Sequence, residues 1–221
     1  EEMLFAAFKE LLHDYPQAKL VLAPRKPARV NEITEMAKKY DFSVGYRKAL
    51  QNTPPLERVS NKVVLLDTIG ELGRIYAIGD IIYVGGSLVA HGGHNMLEPA
   101  AHGKAMIVGP HMFNFKETYS LFTAANACIT VADQHQLAAA MLKLAGDKDL
   151  NAAMSRAALE VVYRNCGASE RTVKYLQMLL DGESIHGKTL NYAINNATSR
   201  NITIEEGRNT RQGEALKLYF I

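Results

Sequence analysis

Five short runs in this chain are apolar at nearly every position: Lys19-Leu-Val-Leu-Ala-Pro24, Lys62–Leu66, Ile81–Val84, Ala105–Val108 and Ala127–Val131. A strand with one face in water alternates apolar and polar residues. A run without a polar side is buried on both faces, which is the signature of a parallel sheet covered by helices. The segments between the runs supply those helices. From Met3 to Tyr15, Leu4, Phe5, Phe8, Leu11 and Leu12 fall on one face, with Lys9, Glu10 and Asp14 opposite. Helical periods are also predicted over 28–40, 70–78, 95–102, 116–127, 134–146, 148–164 and 168–180, a further strand over Asp41–Arg47, and a loop over Gln51–Asn61, which holds two prolines. Strands taking turns with helices, joined by right-handed crossovers, give a Rossmann-like, doubly wound α/β sandwich.

Composition narrows the classes of function. The 221 residues are 48% apolar and contain 7 prolines, which excludes wholesale disorder. The formal charge of 25 − 23 = +2 lacks the basic excess of a nucleic-acid surface. No apolar run approaches the ~20 residues of a membrane-spanning helix, and Glu1-Glu2-Met3 does not resemble a signal peptide. Cys128 and Cys166 lack metal-site or disulfide spacing and are expected to be reduced, in a cytosolic setting. Residues 1–181 are predicted to form the sandwich. Residues 182–221, with 5 Asn, 4 Thr, 4 Gly and 2 Ser, lose the helical period and read as a tail or linker, with at best local structure near Leu216–Ile221.

Ligands of such sheets bind beyond the carboxyl ends of the strands, and the unusual stretches of this sequence all follow predicted strands. Gly85-Gly-Ser-Leu-Val-Ala-His-Gly-Gly-His-Asn-Met-Leu-Glu98 has two glycine pairs ahead of a helix. Backbone N–H groups in such a loop can approach an anion closely. It is neither a Gly-x-Gly-x-x-Gly fingerprint nor a Walker loop. Asn95 with Glu98 reads as a helix cap with a capping-box carboxylate, or else Glu98 accepts hydrogen bonds from ribose hydroxyls. His91 and His94 lack further ligands for a metal and read better as imidazoles donating to a substrate oxygen. Asp67-Thr-Ile-Gly-Glu71 either caps a short helix or sets backbone groups around Gly70, with Glu71, against a base or sugar. Pro24-Arg25-Lys26-Pro27 is a stiff turn holding two cations, either solvated or facing a ligand with two negative groups. Gly109-Pro-His-Met-Phe-Asn-Phe-Lys-Glu117 places His111 and Asn114 between aromatic residues, with Phe113 and Phe115 expected in the core.

Taken together, Gly-Gly-Ser-Leu-Val-x-His-Gly-Gly-His-Asn-x-Leu-Glu-Pro-Ala-Ala and Gly-Pro-His-x-Phe-Asn-Phe-Lys-Glu resemble the 3-deoxy-D-manno-octulosonic acid (Kdo) transferases of lipopolysaccharide synthesis. The Pro-Arg-x-Pro turn and the Asp-Thr-x-Gly-Glu segment stand at the matching places, and the resemblance extends over about residues 1–181. It implies the C-terminal, donor-binding domain of an inverting GT-B glycosyltransferase. The acceptor half and its general base would lie outside this chain, and the domain's first strand, before Glu1, would be truncated. No metal or cofactor is implied.

The implied donor is CMP-Kdo and the implied acceptor the lipid A precursor, at the cytoplasmic face of the bacterial inner membrane, with the chain itself soluble and unable to turn over alone. Arg25 is implied to meet phosphate or carboxylate, Gly70 and Glu71 the nucleotide, Gly86 and Ser87 the phosphate side, Asn95 phosphate and Glu98 ribose. Lys26, Thr68, His91, His94, His111 and Asn114 are expected around the same ligand. Lys26 replaces the family's usual His, and Ile69 its usual Met. The competing expectation is a UDP-sugar transferase or nucleotide-sugar epimerase domain of the same fold, whose pocket would hold a diphosphate.

Overall fold

The computed structural model describes residues 1–50, 61–181 and 217–220, so the predicted loop over 51–61 and most of the predicted tail lie outside the described residues. The chain divides into two compact units, Glu1–Val161 with Glu214–Ile221, and Val162–Gly213. In chain order the elements of the first unit begin α1 (Glu2–Asp14), β1 (Lys19–Leu22), a 3-10 turn (Pro27–Arg29), α2 (Val30–Lys39), β2 (Val44–Tyr46), α3 (Arg47–Leu50) and β3 (Val63–Leu65). They continue α4 (Leu72–Ile78), β4 (Ile81–Val84), α5 (Leu97–Ala101), β5 (Met106–Val108), a 3-10 turn (Phe113–Phe115), α6 (Lys116–Ala124), β6 (Cys128–Thr130) and α7 (Gln134–Gly146). Helix α8 (Lys148–Asn165) runs from the first unit into the second, whose described part also holds α9 (Ala168–Leu180); β7 (Lys217–Phe220) belongs to the first unit.

All seven strands pair in parallel, in the order β2-β3-β1-β7-β4-β5-β6. The continuously apolar runs earn their burial here. In β4 and β5 every residue is buried. Because side chains alternate across a strand, Ile81, Tyr83 and Ile107 face one core while Ile82, Met106 and Val108 face the other side of the sheet. The first core joins Phe5, Phe8 and Leu11 of α1 to Leu20 and Leu22 of β1, Val63 and Leu65 of β3, and Leu137 and Met141 of α7. Each such fully buried side chain contributes roughly 1.5–3 kcal/mol. The helical face predicted from Leu4, Phe5, Phe8 and Leu11 is the face that packs, and Leu12 lies at its edge.

One part of the architecture departs from the sequence reading. The stretch 182–221 is expected to be a tail or linker with at best local structure near Leu216–Ile221, and there Lys217–Phe220 forms β7, in the middle of the sheet, pairing Leu20 with Leu218 and Ile82 with Tyr219. A strand recruited from so far along the chain pairs through its backbone and needs no helical neighbour to announce it. Its sequence signal is only the short apolar run at the C-terminus.

Candidate functional site

A parallel sheet sends every strand out at the same edge, so the four unusual loops gather there: 24–28 after β1, 67–71 after β3, 85–95 after β4 and 109–115 after β5. The first, third and fourth loops, with the start of α1, border a cavity of about 810 Å³, within the roughly 300–1,000 Å³ range of ligand sites. Arg25 and Lys26 stand on one wall; Gly86, His91, His94 and Asn114 stand on the other. Both cations are exposed, and among the described residues neither side chain forms an ion pair. Arg29, on the same wall, is already matched by Glu1 and Glu32, each at 2.8 Å. The cavity mouth therefore carries two uncommitted positive charges, an arrangement suited to an anion.

His94 feels this field. Burial pushes its pKa below the usual imidazole value, and the neighbouring Arg25 and His91 push it further in the same direction. At neutral pH it is an uncharged ring with one donor and one acceptor nitrogen, which leaves Arg25 and Lys26 to supply the positive charge.

The glycine loop is held in place by the loop after β5. The Ser87 hydroxyl, fully buried, donates to the Val84 carbonyl at 2.5 Å and accepts the Gly109 N–H at 2.7 Å. The His111 N–H donates to the Ser87 carbonyl at 2.9 Å, and the Asn114 N–H to the Gly92 carbonyl at 3.2 Å. Gly92 and Gly93 have φ of +88° and +75°, and a Cβ on them would overlap Asn114 and Met112 respectively. Their glycines are demanded by close approach of two loops as much as by any ligand. Ser87, expected on the phosphate side, does not line the cavity, and its hydroxyl donates and accepts inside the protein, latching the two loops together. Asn114 lines the cavity and also donates through its side-chain amide to the His91 carbonyl at 3.2 Å.

Several other expected site residues lie off the cavity. Glu71 is held by Arg47 at 2.9 Å and by the hydroxyl of Thr68, so both its carboxylate oxygens are engaged. Arg47 was not singled out from sequence; its only signal was a cation at the end of a predicted strand. Gly70 is exposed, with φ +85°. Thr68, Gly70 and Glu71 share the sheet edge with the cavity but do not line it. The helix expected from Asn95 to His102 is only the five residues of α5. The Asn95 side-chain oxygen accepts the Leu97 N–H at 2.9 Å, and its amide donates to Glu98 at 3.1 Å. Met96, not Asn95, is the N-cap of α5 and has no side-chain cap. Glu98 accepts from the Asn95 side chain and not from a backbone N–H, so the expected capping box does not form, although Asn95 engages the first N–H of the helix. The side chain of His111 does not line the cavity. Phe113, expected in the core, is 60% exposed, and the buried anchor of that loop is Met112. The reason is register: the 3-10 turn at Phe113–Phe115 rotates Met112, not Phe113, beneath Gly93.

The arrangement has clear relatives. No protein-family model matches the chain. The 3-deoxy-D-manno-octulosonic acid transferase of Haemophilus influenzae is 35% identical over 182 residues, covering 82% of this chain and 42% of the relative. That of Bordetella pertussis is 33% identical over 162 residues, 73% of this chain and 37% of the relative. The chain thus spans about two-fifths of the length of the curated relatives it matches. Among solved structures, the C-terminal CMP-Kdo binding domain of WaaA from Acinetobacter baumannii superposes with a TM-score of 0.59 at 25% identity, covering 72% of this chain and 98% of that domain. The chain is therefore a homologue of the Kdo transferases, an α/β protein whose fold is that of the C-terminal domain of such a GT-B glycosyltransferase.

Proposed function

We propose that this chain is the donor-binding half of a Kdo transferase and takes CMP-Kdo in the cavity between the Arg25–Lys26 turn and the glycine loop. The observation that carries the reading is the pair of uncommitted cations that line, together with His91 and His94, a cavity of about 810 Å³. The donor has one phosphate and one sugar carboxylate, and two cations not already paired, beside an Arg29 that Glu1 and Glu32 neutralise, match that charge better than a diphosphate. Arg25 offers a planar fork to the phosphate and Lys26 a point charge to the second anion. Neutral His94 can donate to a sugar or phosphate oxygen without adding repulsion. Gly70 and Glu71, at the same sheet edge, border the nucleotide, with Arg47 fixing the direction of the Glu71 carboxylate. Asn95 and Glu98, bonded to each other, present one face to the ribose and phosphate.

On this reading, an acceptor hydroxyl of the lipid A precursor attacks the anomeric carbon with inversion, and CMP leaves. The cations stabilise the charge that grows on the departing phosphate, where preorganised positive groups act most strongly. The acceptor site and the base that takes the hydroxyl proton belong to the part of the transferase that this chain does not span. The same holds for the whole enzyme's place at the cytoplasmic face of the inner membrane. Among the described residues, no helix is long and apolar enough to cross a membrane.

Calorimetric titration with CMP, CMP-Kdo and UDP tests the proposal. CMP and CMP-Kdo are expected to bind and UDP to bind more weakly. Arg25→Ala should weaken CMP by about tenfold or more, since a charge-assisted hydrogen bond contributes roughly 1.5–3 kcal/mol. Equal affinity for UDP, or an unchanged Arg25→Ala variant, would refute it.

A further inference from the structure

The two histidines that line the cavity stand on a turn, His91-Gly92-Gly93-His94, that belongs to neither a strand nor a helix. Within its own loop, the Gly93 N–H donates to the Gly86 carbonyl at 2.9 Å. The rest of its support comes from the loop after β5. Asn114 holds the His91 carbonyl through its side-chain amide and the Gly92 carbonyl through its N–H, both at 3.2 Å. Met112 is 2% exposed and lies against Gly93, with its sulfur and methyl in the volume that a side chain at Gly93 would take. His94 follows directly, and a Cβ on Gly86 would lie 3.4 Å from its Nε2, so the ring is close above that glycine. Protein interiors are packed at near-crystal density, so a turn seated on a buried side chain takes its position from that side chain.

We propose that Met112 is a positioning residue for the candidate site: its thioether, seated against Gly93, sets where the His91–His94 turn stands beside the cavity. This deepens the donor-binding reading, on which only its binding arm rests. Met112 itself does not line the cavity, so it acts through the turn and not on a ligand. A methyl added at Gly93 competes with the thioether for one space. Because Met112 is buried, its sulfur has no solvent to swing into, and the turn is displaced instead. Shortening Met112 to alanine empties the same space, and the added methyl then fits. Two changes that are each harmful therefore offset one another, whereas independent destabilisations add. The φ of +75° at Gly93 strains an alanine whichever residue stands at 112, so the difference between the two backgrounds isolates the contact.

The test titrates CMP by calorimetry into the full chain and into Gly93→Ala, Met112→Ala and the double variant, and follows the His94 ring by NMR as pH is varied. Gly93→Ala should weaken CMP by about tenfold or more, since a displacement near 1 Å can cost about a hundredfold. The double variant should bind CMP about threefold or more tighter than Gly93→Ala. Asp133→Ala, which removes a helix cap that does not line the cavity, controls for plain destabilisation and should leave CMP affinity unchanged. His94 is faced by Arg25 from the loop after β1 and by His91 from its own loop, and Lys26 and the Glu1–Arg29 pair border the same cavity. In Gly93→Ala its titration midpoint should rise toward about 6.5, as the ring leaves its burial and Arg25, and should fall back in the double variant. In the unmodified chain, the Met112 methyl should show a nuclear Overhauser effect to the Gly93 α-protons. Absence of that effect, unchanged CMP affinity in Gly93→Ala, or a double variant no better than Gly93→Ala overturns the proposal. A Gly93→Ala chain that fails to fold where the double variant folds supports it, and if neither folds the Overhauser effect decides. Absence of CMP binding to the unmodified chain would instead refute the donor reading. The His94 midpoint then decides the positioning role: moved in Gly93→Ala and returned in the double variant supports it, and any other pattern overturns it.

Discussion

Two buried or half-buried residues decide how the site is held and how it responds to pH. Ser87 links the two loops that form one wall, and no water reaches its hydroxyl. Ser87→Ala leaves the Gly109 N–H without an acceptor, an unsatisfied buried donor costing about 1–3 kcal/mol. Urea denaturation should show that loss, and a change within ±0.3 kcal/mol would mean that the latch contributes nothing. His94 acts through charge. Its folded pKa lies below the ordinary value, first from burial and then from Arg25 and His91. Between the folded value and about 6.5, the unfolded chain holds a proton that the folded chain does not, so acidification favours unfolding. The contribution of His94 to stability is complete above about pH 6.5 and is lost as pH falls below it. An anion seated beside Arg25 offsets the repulsion and raises the His94 pKa. CMP binding near pH 6 should then take up protons, visible as a binding enthalpy that changes with the ionisation enthalpy of the buffer. A buffer-independent enthalpy in the unmodified chain would separate His94 from the anion.

At the scale of elements, what was legible in the sequence is what periodicity and continuous apolarity encode. The strand Ile81–Val84 appears with the same limits in the structure, and α7 and α9 lie within a residue of their predicted spans. Helix α7 also shows a start signal of the expected chemistry: the Asp133 carboxylate accepts the N–H groups of His135 and Gln136, both at 2.9 Å. Asp133→Ala should cost about 1 kcal/mol in thermal or chemical unfolding, and an unchanged midpoint would remove the cap from the account. What was not legible was contact between elements. Glycines in Gly85–Gly93 read as an anion loop, while the structure shows that Gly92 and Gly93 also admit Asn114 and Met112. The latch made by the Ser87 hydroxyl left no local signal, because its partner Gly109 lies 22 residues away. Phe113 looked like core because it is aromatic, and it is exposed because a turn sets its register. Loop-on-loop packing has no period, and a central strand supplied from the chain's far end has none either.

At the scale of the whole molecule, charge separates a local site from a general attraction. A net charge of +2 over 221 residues exerts little long-range pull on a nucleotide. Any electrostatic gain must then come from Arg25 and Lys26 at the cavity mouth. Both are exposed, so salt screens them: the Debye length shrinks from roughly 10 Å at 0.1 M to about 3 Å at 1 M. CMP affinity should fall several-fold as sodium chloride rises from about 0.05 to about 0.5 M. The dependence should flatten in Arg25→Ala and persist in Lys143→Ala, which removes an equal charge from an exposed helical position away from the cavity. If both variants flatten the dependence alike, the attraction belongs to the molecule's overall field, and the two cations on the wall have no special part in capturing the ligand.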